Sequence, residues 1–494
     1  MRSLLRAVGA VTLSLCLAAS QPAPAVPAQT GRVAPAPPNI VFILADDLSP
    51  DLLRFMPQVR GLAAGGTSFA NYVVTDTLCC PSRASIYTGR FPHNTGVFTN
   101  AAPDGGWAVF RQRGNERDTY GTALQRAGYR TAMLGKYLNG YQPASGHVPP
   151  GWDQWAVGGD AYRQFDYTLN ENGVPRAYGA EYLTDVLTAK ASAFIEMSAG
   201  DRTPFFVEIS TFAPHSPFTP APQDVDAFPG LTAPRGPAFD RLPSDAPPWL
   251  AGRPPLAADQ IARIDDAYRR RAQSVLSLDR MVGQLRATLA RTGAAANTVL
   301  VFSSDNGFHL GEHRLTVGKQ TAFETDIRVP LIVAGPGVRA GATVNQTAAN
   351  IDLRPTFEDL AGTPSPPNVD GRSLAPLLRS GIVDSGTPVS GWRTAALVEH
   401  RGPEHRRPEF RPDDPDRQKV IPESYAALRT PDWTFVRYAG GALEFYDRRT
   451  DPHQLRNAAS GLSPARRAAL AAALDALVAC KGAVACGKAG VVRA

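Results

Sequence analysis

The chain has 494 residues, of which 43% are hydrophobic and 19% are charged, and its formal net charge is +6. This balance is typical of a globular protein and excludes disordered and fibrous classes. The small positive excess suits an anionic substrate, or reflects a generally Arg-rich background, and it is too low for a nucleic-acid-binding protein.

The first 25 residues have the pattern of a signal peptide. Two arginines precede the apolar run 7–19, and the small residues at 23–25 offer a cleavage site, with Ala18-Ala19 as another. The run is short for a membrane span, and no later stretch of comparable length is free of charge. We therefore expect a secreted protein, extracellular or associated with the cell envelope, with no integral membrane segment. Residues 26–38 are expected to form a Pro/Ala-rich spacer.

Alternating strand and helix patterns follow and predict an α/β fold. A helical pattern extends from about Ala257 to Arg291, and Gly293 is placed to end it. The Pro-rich segment 220–255 is predicted to be a surface excursion. Together the elements predict a large mixed, mostly parallel sheet sandwiched by helices. Continuous apolar runs of strand length lie at 39–44, 205–210, 298–303 and 329–334.

The pattern of predicted elements changes around residues 380–395, and the strands predicted beyond this region are shorter and alternate. We predict a catalytic domain at 39–385 and a smaller C-terminal α+β subdomain at 386–494. In the latter, short alternating strands flank Gly440-Gly441, which is a hairpin signal. Ser463-Pro464 is typical of a helix start, so a small antiparallel sheet backed by one helix is expected.

Four cysteines remain after signal removal. Cys480 and Cys486 bracket a short loop, and in an exported protein we expect them to pair with each other. Cys79 and Cys80 are adjacent, so a disulfide between them would be strained and another explanation is needed.

Acidic residues directly follow two of the predicted strands. Asp46 and Asp47 come after the first strand, and Asp305 and Asn306 come after the strand at 298–303. Ligands gather at the carboxyl ends of parallel strands, and these oxygens are ligands that Ca²⁺ or Mg²⁺ prefers. Each pair alone could equally be a turn or a helix cap, whereas both pairs in one sheet favour a metal site.

Cys79 lies at a predicted helix start, where the helix dipole and Arg83 would stabilise negative charge. A reactive thiol nucleophile and a buried structural cysteine are both compatible with this spacing, which does not choose between them.

The segment Cys79-Cys80-Pro81-Ser82-Arg83, followed by Thr88-Gly89-Arg90, resembles the signature C-x-P-S-R-x-x-x-x-T-G of type I sulfatases, which have an alkaline-phosphatase-like fold. The resemblance extends from residue 39 to about residue 460. The other matching segments, in the expected order, are 39–47, Gly135-Lys136-Tyr137, Pro214-His215, 303–311, Gly318-Lys319, Tyr446-Asp447 and 450–457.

The resemblance implies the chemistry of the site. A formylglycine-generating maturation enzyme would oxidise Cys79 to formylglycine; one hydroxyl of its hydrate attacks sulfur and the second later expels sulfate. The bound ion would be Ca²⁺, in preference to Mg²⁺. The implied metal ligands are Asp46, Asp47, residue 79, Asp305 and Asn306. The implied catalytic residues are Cys79, Arg83, Lys136, His215 and Lys319, with His215 or Lys319 as the acid for the leaving alcohol.

Within the family, the motifs around Cys79, Pro92-His93-Asn94 and 135–139 are most like those of N-acetylglucosamine-6-sulfatases. Many arylsulfatases have a histidine two residues after the lysine, where this chain has Leu138. The expected function is therefore hydrolysis of a sulfate ester on a sulfated carbohydrate, such as N-acetylglucosamine-6-sulfate, or on another organosulfate. Alternatives are an arylsulfatase, a formylglycine-dependent phosphonate or phosphate ester hydrolase, and a non-catalytic glycan-binding relative.

A basic cluster occurs late in the chain. It could hold further sulfates of a polysaccharide, or it could be a solvated charged loop. The cluster consists of Arg401, His405, Arg406 and Arg407.

Overall fold

The computed structural model describes residues 9–10, 37–379, 391–402 and 421–492. Contacts divide the chain into two units, residues 1–36 and residues 37–494, and the fold described below is that of the second. Almost all of the predicted signal peptide and spacer, the predicted boundary at 385/386, and His405, Arg406 and Arg407 lie outside the described residues.

A ten-stranded mixed sheet forms the centre of the fold. The strands before residue 350 are β1 Asn39–Ala45, β2 Thr67–Phe69, β3 Tyr72–Val73, β4 Arg130–Lys136, β5 Gln154–Gly158, β6 Tyr167–Glu171, β7 Val174–Tyr178, β8 Phe205–Ser210, β9 Thr298–Ser304, β10 His309–Leu310, β11 Val317–Gly318, β12 Leu331–Ala334, β13 Ala342–Val344 and β14 Ala348–Ala349. The spatial order of the ten strands in the central sheet is β13-β2-β12-β9-β1-β8-β4-β5-β6-β7.

The five central strands, β9-β1-β8-β4-β5, all run parallel, which confirms the mostly parallel sheet. Next to them β12 runs antiparallel to β9, and β6 and β7 are antiparallel at the far edge, so the sheet is mixed. The strand predicted at 329–334 begins only at Leu331. Pro330 precedes it and has no N–H to donate to a ladder.

Helices cover the sheet and bury two apolar clusters. The long helix predicted at about 257–291 is confirmed, since the structure has a helix at Ala258–Arg291. Its apolar residues recur on one face, as the sequence pattern indicated. The helices before residue 380 are α1 Pro57–Ala64, α2 Cys79–Thr88, α3 Pro92–Thr95, α4 Gly106–Gln112, α5 Tyr120–Arg126, α6 Leu183–Gly200, α7 Ala258–Arg291, α8 Glu324–Ile327, α9 Leu353–Leu360 and α10 Ala375–Arg379.

The segment 220–255 contains one short 3-10 turn and no helix or strand of greater length, and more than half of its residues are exposed. This confirms the predicted surface excursion. A few of its residues are nevertheless buried, among them Ala233 and Leu250, so the segment is anchored to the main body.

The C-terminal part is an antiparallel sheet of four strands, β15 Ala396–His400, β16 Tyr425–Arg429, β17 Trp433–Tyr438 and β18 Leu443–Asp447. The hairpin at Gly440-Gly441 is confirmed. Two helices follow, α11 Pro464–Val478 and α12 Ala483–Ala489. The Ser463 hydroxyl caps α11 by accepting from the Arg466 N–H, and the predicted Cys480–Cys486 disulfide is present.

The C-terminal sheet shares its apolar core with the rest of the unit. Leu397 and Phe435 from this sheet belong to the same buried cluster as Val73, Ile327 and Ile351. Among the described helices, none combines the length and the apolar character that a membrane crossing requires.

Candidate active site

The site lies where the central parallel strands end. Ala45 on β1 pairs with Ser304 on β9, so Asp46 and Asp305 leave the sheet side by side. The Asp47 N–H donates to Asp305 Oδ1 at 3.1 Å, and Asp47 has a φ of +64°, an unusual backbone conformation for a residue with a side chain. The two acidic pairs predicted from sequence are therefore brought together, and all four side chains are buried.

Cys79 is the first residue of α2 and is fully buried beside these carboxylates. Its Sγ lies 3.6 Å from Asp46 Oδ1 and 2.7 Å from Lys319 Nζ. Burial raises the pKa of the thiol to about 12, which outweighs the lowering effect of Lys136 and Lys319. The unmodified side chain is thus a neutral thiol, which disfavours the reading of Cys79 as a reactive thiolate.

Three buried ion pairs surround residue 79. Lys136 Nζ contacts Asp46 Oδ2 at 2.5 Å, and Lys319 Nζ contacts Asp47 Oδ1. Arg83 Nε donates to Asp305 Oδ2 at 2.8 Å. Each positive charge offsets a negative one, so the buried cluster is close to electrically balanced, as the cost of burying charges requires.

The pKa values of the carboxyl groups reflect this pairing. Burial raises carboxyl pKa values, but at Asp46 the charge of Lys136, followed by those of His215 and Arg83, lowers the pKa well below its usual range. Asp305 behaves differently, because burial and the negative charge of Asp46 raise its pKa to about 6.

Arg83 is held by three partners. Besides Asp305, its Nη1 donates to the Lys136 carbonyl oxygen at 3.1 Å and to Ser210 Oγ at 2.5 Å. Burial alone would lower the pKa of Arg83, but Asp305 and Asp46 raise it well above its usual value. The guanidinium is therefore a fixed, permanently charged group one helical turn from Cys79.

His215 lies on the other side of the carboxylates. Its Nδ1 is 2.7 Å from the Ser216 carbonyl oxygen, so Nδ1 carries the proton and donates it. Nε2 is 3.7 Å from Asp47 Oδ2, and the Tyr162 ring packs against the imidazole with 4.5 Å between ring centres. Burial lowers the pKa of His215.

The acidic cluster contains the kinds of side chain that bind a divalent cation. Ligand atoms of Asp46, Asp47, Cys79 and His215 lie within 4.8 Å of one another. Carboxylate oxygens suit a hard cation such as Ca²⁺, whereas the Cys79 thiol is a soft ligand that does not. An oxygen in place of that sulfur would complete a hard donor set.

The other two predicted ligands are close by but are engaged by protein groups. Asp305 binds Arg83, and the Asn306 side-chain nitrogen donates to Asp47 Oδ1 at 2.6 Å. Asn306 Oδ1 is 3.3 Å from Lys319 Nζ. His215, predicted as a catalytic residue, also belongs to the group of side chains that could hold a metal ion.

Three contributors were not found from sequence. Ser210 ends β8 at the same sheet edge, so the strand-end argument used for Asp46 could have found it. Tyr162, whose ring lies 5.0 Å from Lys136 Nζ, and Arg271, which donates to the Asp47 carbonyl at 2.6 Å, have no local sequence signal.

Comparison with known proteins agrees with this geometry. The "Sulfatase" family model matches residues 38–363, and the model for the C-terminal part of N-sulphoglucosamine sulphohydrolase matches residues 311–475. The chain is 36% identical over 461 residues to N-acetylglucosamine-6-sulfatase of Capra hircus, which covers 86% of this chain and 81% of the relative.

Solved structures show the same fold. A protein crystallised with its substrate D-glucosamine-2-N,6-O-disulfate matches with a TM-score of 0.71 and 26% identity, covering 89% of this chain and 97% of that one. A phosphonate monoester hydrolase from Silicibacter pomeroyi matches with a TM-score of 0.65 and 25% identity, covering 88% and 93%. The fold is alkaline-phosphatase-like. From the family match and the active-site geometry, the chain belongs to the sulfatase family and is a sulfuric ester hydrolase.

Proposed function

We propose that this enzyme hydrolyses a sulfate ester on a sulfated sugar, such as N-acetylglucosamine-6-sulfate, with a formylglycine made from Cys79. The observation that carries the proposal is the position of Cys79, at the junction of the acidic cluster and two lysines. Relatives and a structural neighbour that act on sulfated glucosamines support the sugar substrate.

Two groups would complete the site. The hydrate of formylglycine would supply two hydroxyls, one to attack sulfur and one to re-form the aldehyde and so release the bound sulfate. A Ca²⁺ ion would be held by Asp46, Asp47, Asp305, Asn306 and residue 79, and would supply Lewis-acid stabilisation of charged oxygens. The hard-oxygen character of these side chains supports Ca²⁺ over a softer metal.

The chain's own residues bind and orient the reacting groups. The fixed guanidinium of Arg83 would orient and stabilise the oxygens of the modified residue 79, and Lys136 and Lys319 would place two positive charges beside the sulfate oxygens. Lys319 Nζ already contacts both Asp47 and residue 79, and His215 Nε2 faces Asp47. His215 or Lys319 would donate the proton to the departing alcohol.

A polar cleft beside the site supports a sugar as the leaving group. Its volume is about 570 Å³, within the range of small-molecule sites. The Tyr425 hydroxyl on its wall lies 3.5 Å from Thr77 Oγ1, two residues before Cys79. The described residues that line the cleft are Phe98, Asp104, Glu399, His400, Arg401, Gly402, Ser424 and Tyr425. Carboxylate, imidazole and guanidinium groups suit the hydroxyls of a sugar, and Arg401 would suit a further sulfate.

A second candidate function is hydrolysis of a phosphonate or phosphate ester. The structural similarity to a phosphonate monoester hydrolase favours it, since a tetrahedral anion of similar size would meet the same lysines. An arylsulfatase activity is the third possibility, although Leu138 replaces the histidine of many arylsulfatases.

The deciding experiment measures residue 79 and turnover together. The chain would be expressed with its own leader and a formylglycine-generating enzyme, and its intact mass compared with that of the Cys79→Ala variant. We expect the mass decrease that follows exchange of a thiol for an aldehyde, and sulfate release from N-acetylglucosamine-6-sulfate exceeding that from p-nitrophenyl sulfate. Recovery of the cleaved protein from the medium would test the proposed secretion.

Cys79→Ala should abolish turnover and leave the melting temperature near that of the wild type, because only one buried thiol is removed. Cys80→Ala is the matched control, since Cys80 is equally buried but occupies the variable position of the motif. Substantial activity in Cys79→Ala, or an unmodified thiol in an active wild type, contradicts the mechanism. Faster turnover of a phosphonate monoester would favour the second candidate.

A further inference from the structure

Glu208 is a buried carboxyl in the centre of the sheet. It lies on β8, where its neighbours in register are Phe42 on β1 and Met133 on β4, and it has no exposed surface. A carboxyl in such a position is costly unless polar groups surround it. The Tyr120 hydroxyl from α5 donates to Glu208 Oε2.

Glu208 is linked to the active site through Ser210. The two residues are two apart on one strand, so their side chains lie on the same face of the sheet. Ser210 Oγ accepts from Arg83 Nη1 at 2.5 Å, and the Ser210 hydroxyl also acts on Glu208, whose pKa it lowers. Glu208 is therefore one side chain removed from Arg83, which lies one helical turn from residue 79.

A tyrosine completes the link on the helix side. Tyr87 lies one turn after Arg83 on α2, and its ring is 5.6 Å from that of Tyr120. Within the described residues, Arg83 Nη2, the Tyr87 hydroxyl and Glu208 Oε1 are all buried and lack a hydrogen-bond partner of normal geometry. The positive charge of Arg83 acts on both the Tyr87 hydroxyl and Glu208, so the three side chains form one electrostatic cluster around the arginine.

We propose that Glu208 is a positioning residue for Arg83, and that the neutral form of this buried side chain is the form that supports catalysis. An ionised Glu208 would add a negative charge behind Arg83, drawing the guanidinium away from residue 79 and weakening the positive potential there. The inference rests on the proposed function, in which Arg83 stabilises the nucleophile.

Among the described residues, four charged or titratable groups face Glu208. Arg83 and Tyr87 face it from α2, Tyr120 from α5, and Tyr137 from the end of β4. Burial raises the pKa of Glu208 to about 7, against the lowering effects of Tyr120 and Arg83. Neutral Glu208 is thus the major form below pH 7, and the ionised form takes over above it.

The test is the pH profile of kcat for the mature enzyme with a sulfate ester. We expect wild-type kcat to fall as the pH rises through about 7. In Glu208→Gln, which is neutral at every pH, this descending limb should move up by at least one pH unit. In Tyr120→Phe, loss of a hydrogen bond that favours the carboxylate should move the limb upward by a smaller amount. Glu196→Gln, at an exposed glutamate, is the control.

If the descending limb of the pH profile stays in place in both Glu208→Gln and Tyr120→Phe, the inference is overturned. A uniform loss of kcat at all pH values would also overturn it, because such a loss indicates a purely structural role. If Glu208→Gln does not fold, Tyr120→Phe still decides the matter through the shift. A wild-type protein that contains formylglycine but hydrolyses no sulfate ester would instead count against the proposed function.

Discussion

At the scale of single residues, the site depends on buried charges that are paired one to one. Asp46, Asp47 and Asp305 each contact a different cation, so no charge is left without a counterion within this cluster. A divalent cation would add positive charge to this balanced arrangement, and an anionic ester would offset it. Binding of the cation is therefore expected to strengthen binding of the anionic ester, and binding of the ester to strengthen binding of the cation.

His400 provides a residue-scale test of the sugar substrate. It is 4% exposed on the wall of the polar cleft, and burial lowers its pKa to about 4, so its ring is neutral at pH 7. Among the described residues, neither ring nitrogen finds a hydrogen-bond partner of normal geometry, and the ring could therefore bind a sugar hydroxyl.

We expect His400→Ala to lower the ratio of kcat/KM for N-acetylglucosamine-6-sulfate to that for p-nitrophenyl sulfate by about tenfold, the cost of one hydrogen bond. Steady-state kinetics with both esters measure this ratio. His453→Ala, at an exposed histidine, should leave it unchanged. An equal loss with both substrates would mean that His400 only supports the fold. If Asn139→Ala changed the ratio and His400→Ala did not, the sugar would instead bind in the smaller cavity that Asn139 and Tyr162 line.

At the scale of elements, the long helix α7 supports the active site through one of its side chains. Arg271 on this helix is fully buried, and its Nη2 donates to the Asp47 carbonyl oxygen at 2.6 Å and to Ser49 Oγ at 3.3 Å. Its guanidinium also packs 4.1 Å from the centre of the Phe308 ring. The helix thereby supports the unusual backbone conformation of Asp47.

Replacement of Arg271 by Met should loosen Asp47 without touching the reacting atoms. Loss of such an outer partner costs about 10- to 100-fold in metal affinity or activity. We expect the Ca²⁺ concentration for half-maximal activity to rise by this factor in Arg271→Met. A calcium titration of the chelated enzyme measures it. Arg263→Met, at an exposed position of the same helix, is the control, and an unchanged calcium requirement in Arg271→Met would contradict the role.

At the scale of the whole molecule, a largely buried ion cluster connects the C-terminal sheet to the catalytic region. Glu324, at the start of α8, accepts two hydrogen bonds from Arg429 on β16, each at 2.9 Å, and contacts Arg448 at 2.8 Å. Burial opposes ionisation of Glu324, but Arg429 and then Arg448 lower its pKa to about 2. With the shared apolar core, this contact supports joint folding of the two parts.

Because the folded pKa of Glu324 lies below its ordinary value of 4.5, its contribution is present above pH 4.5 and is lost as the pH falls towards 2. Glu324→Gln should lower the free energy of unfolding at pH 7 by about 3 to 5 kcal/mol, since it leaves buried arginines unpaired. Urea denaturation at pH 7 and pH 3 measures the difference, which should shrink at the lower pH. Asp259→Asn, at an exposed ion pair, is the control. A constant difference at both pH values would contradict this account.

Most of the fold was predictable because its signals are local. The apolar runs of β1, β8 and β9, the period of α7 and the Gly440-Gly441 turn each lie within one short segment, and all were confirmed. The antiparallel direction of β12 was not predictable, because a buried strand has the same apolar run whichever way it pairs.

The sequence by itself determined the family, through a long motif around Cys79, and it supplied Asp46, Asp47, Lys136, Lys319 and the other expected site residues. Tertiary structure alone decided which of these meet: Lys319 contacts residue 79, and His215 joins the acidic cluster. It also added Ser210, Tyr162, Arg271 and Glu208. These roles arise from contacts between residues far apart in the chain, and such contacts depend on how strands and helices pack, which no short stretch of sequence encodes.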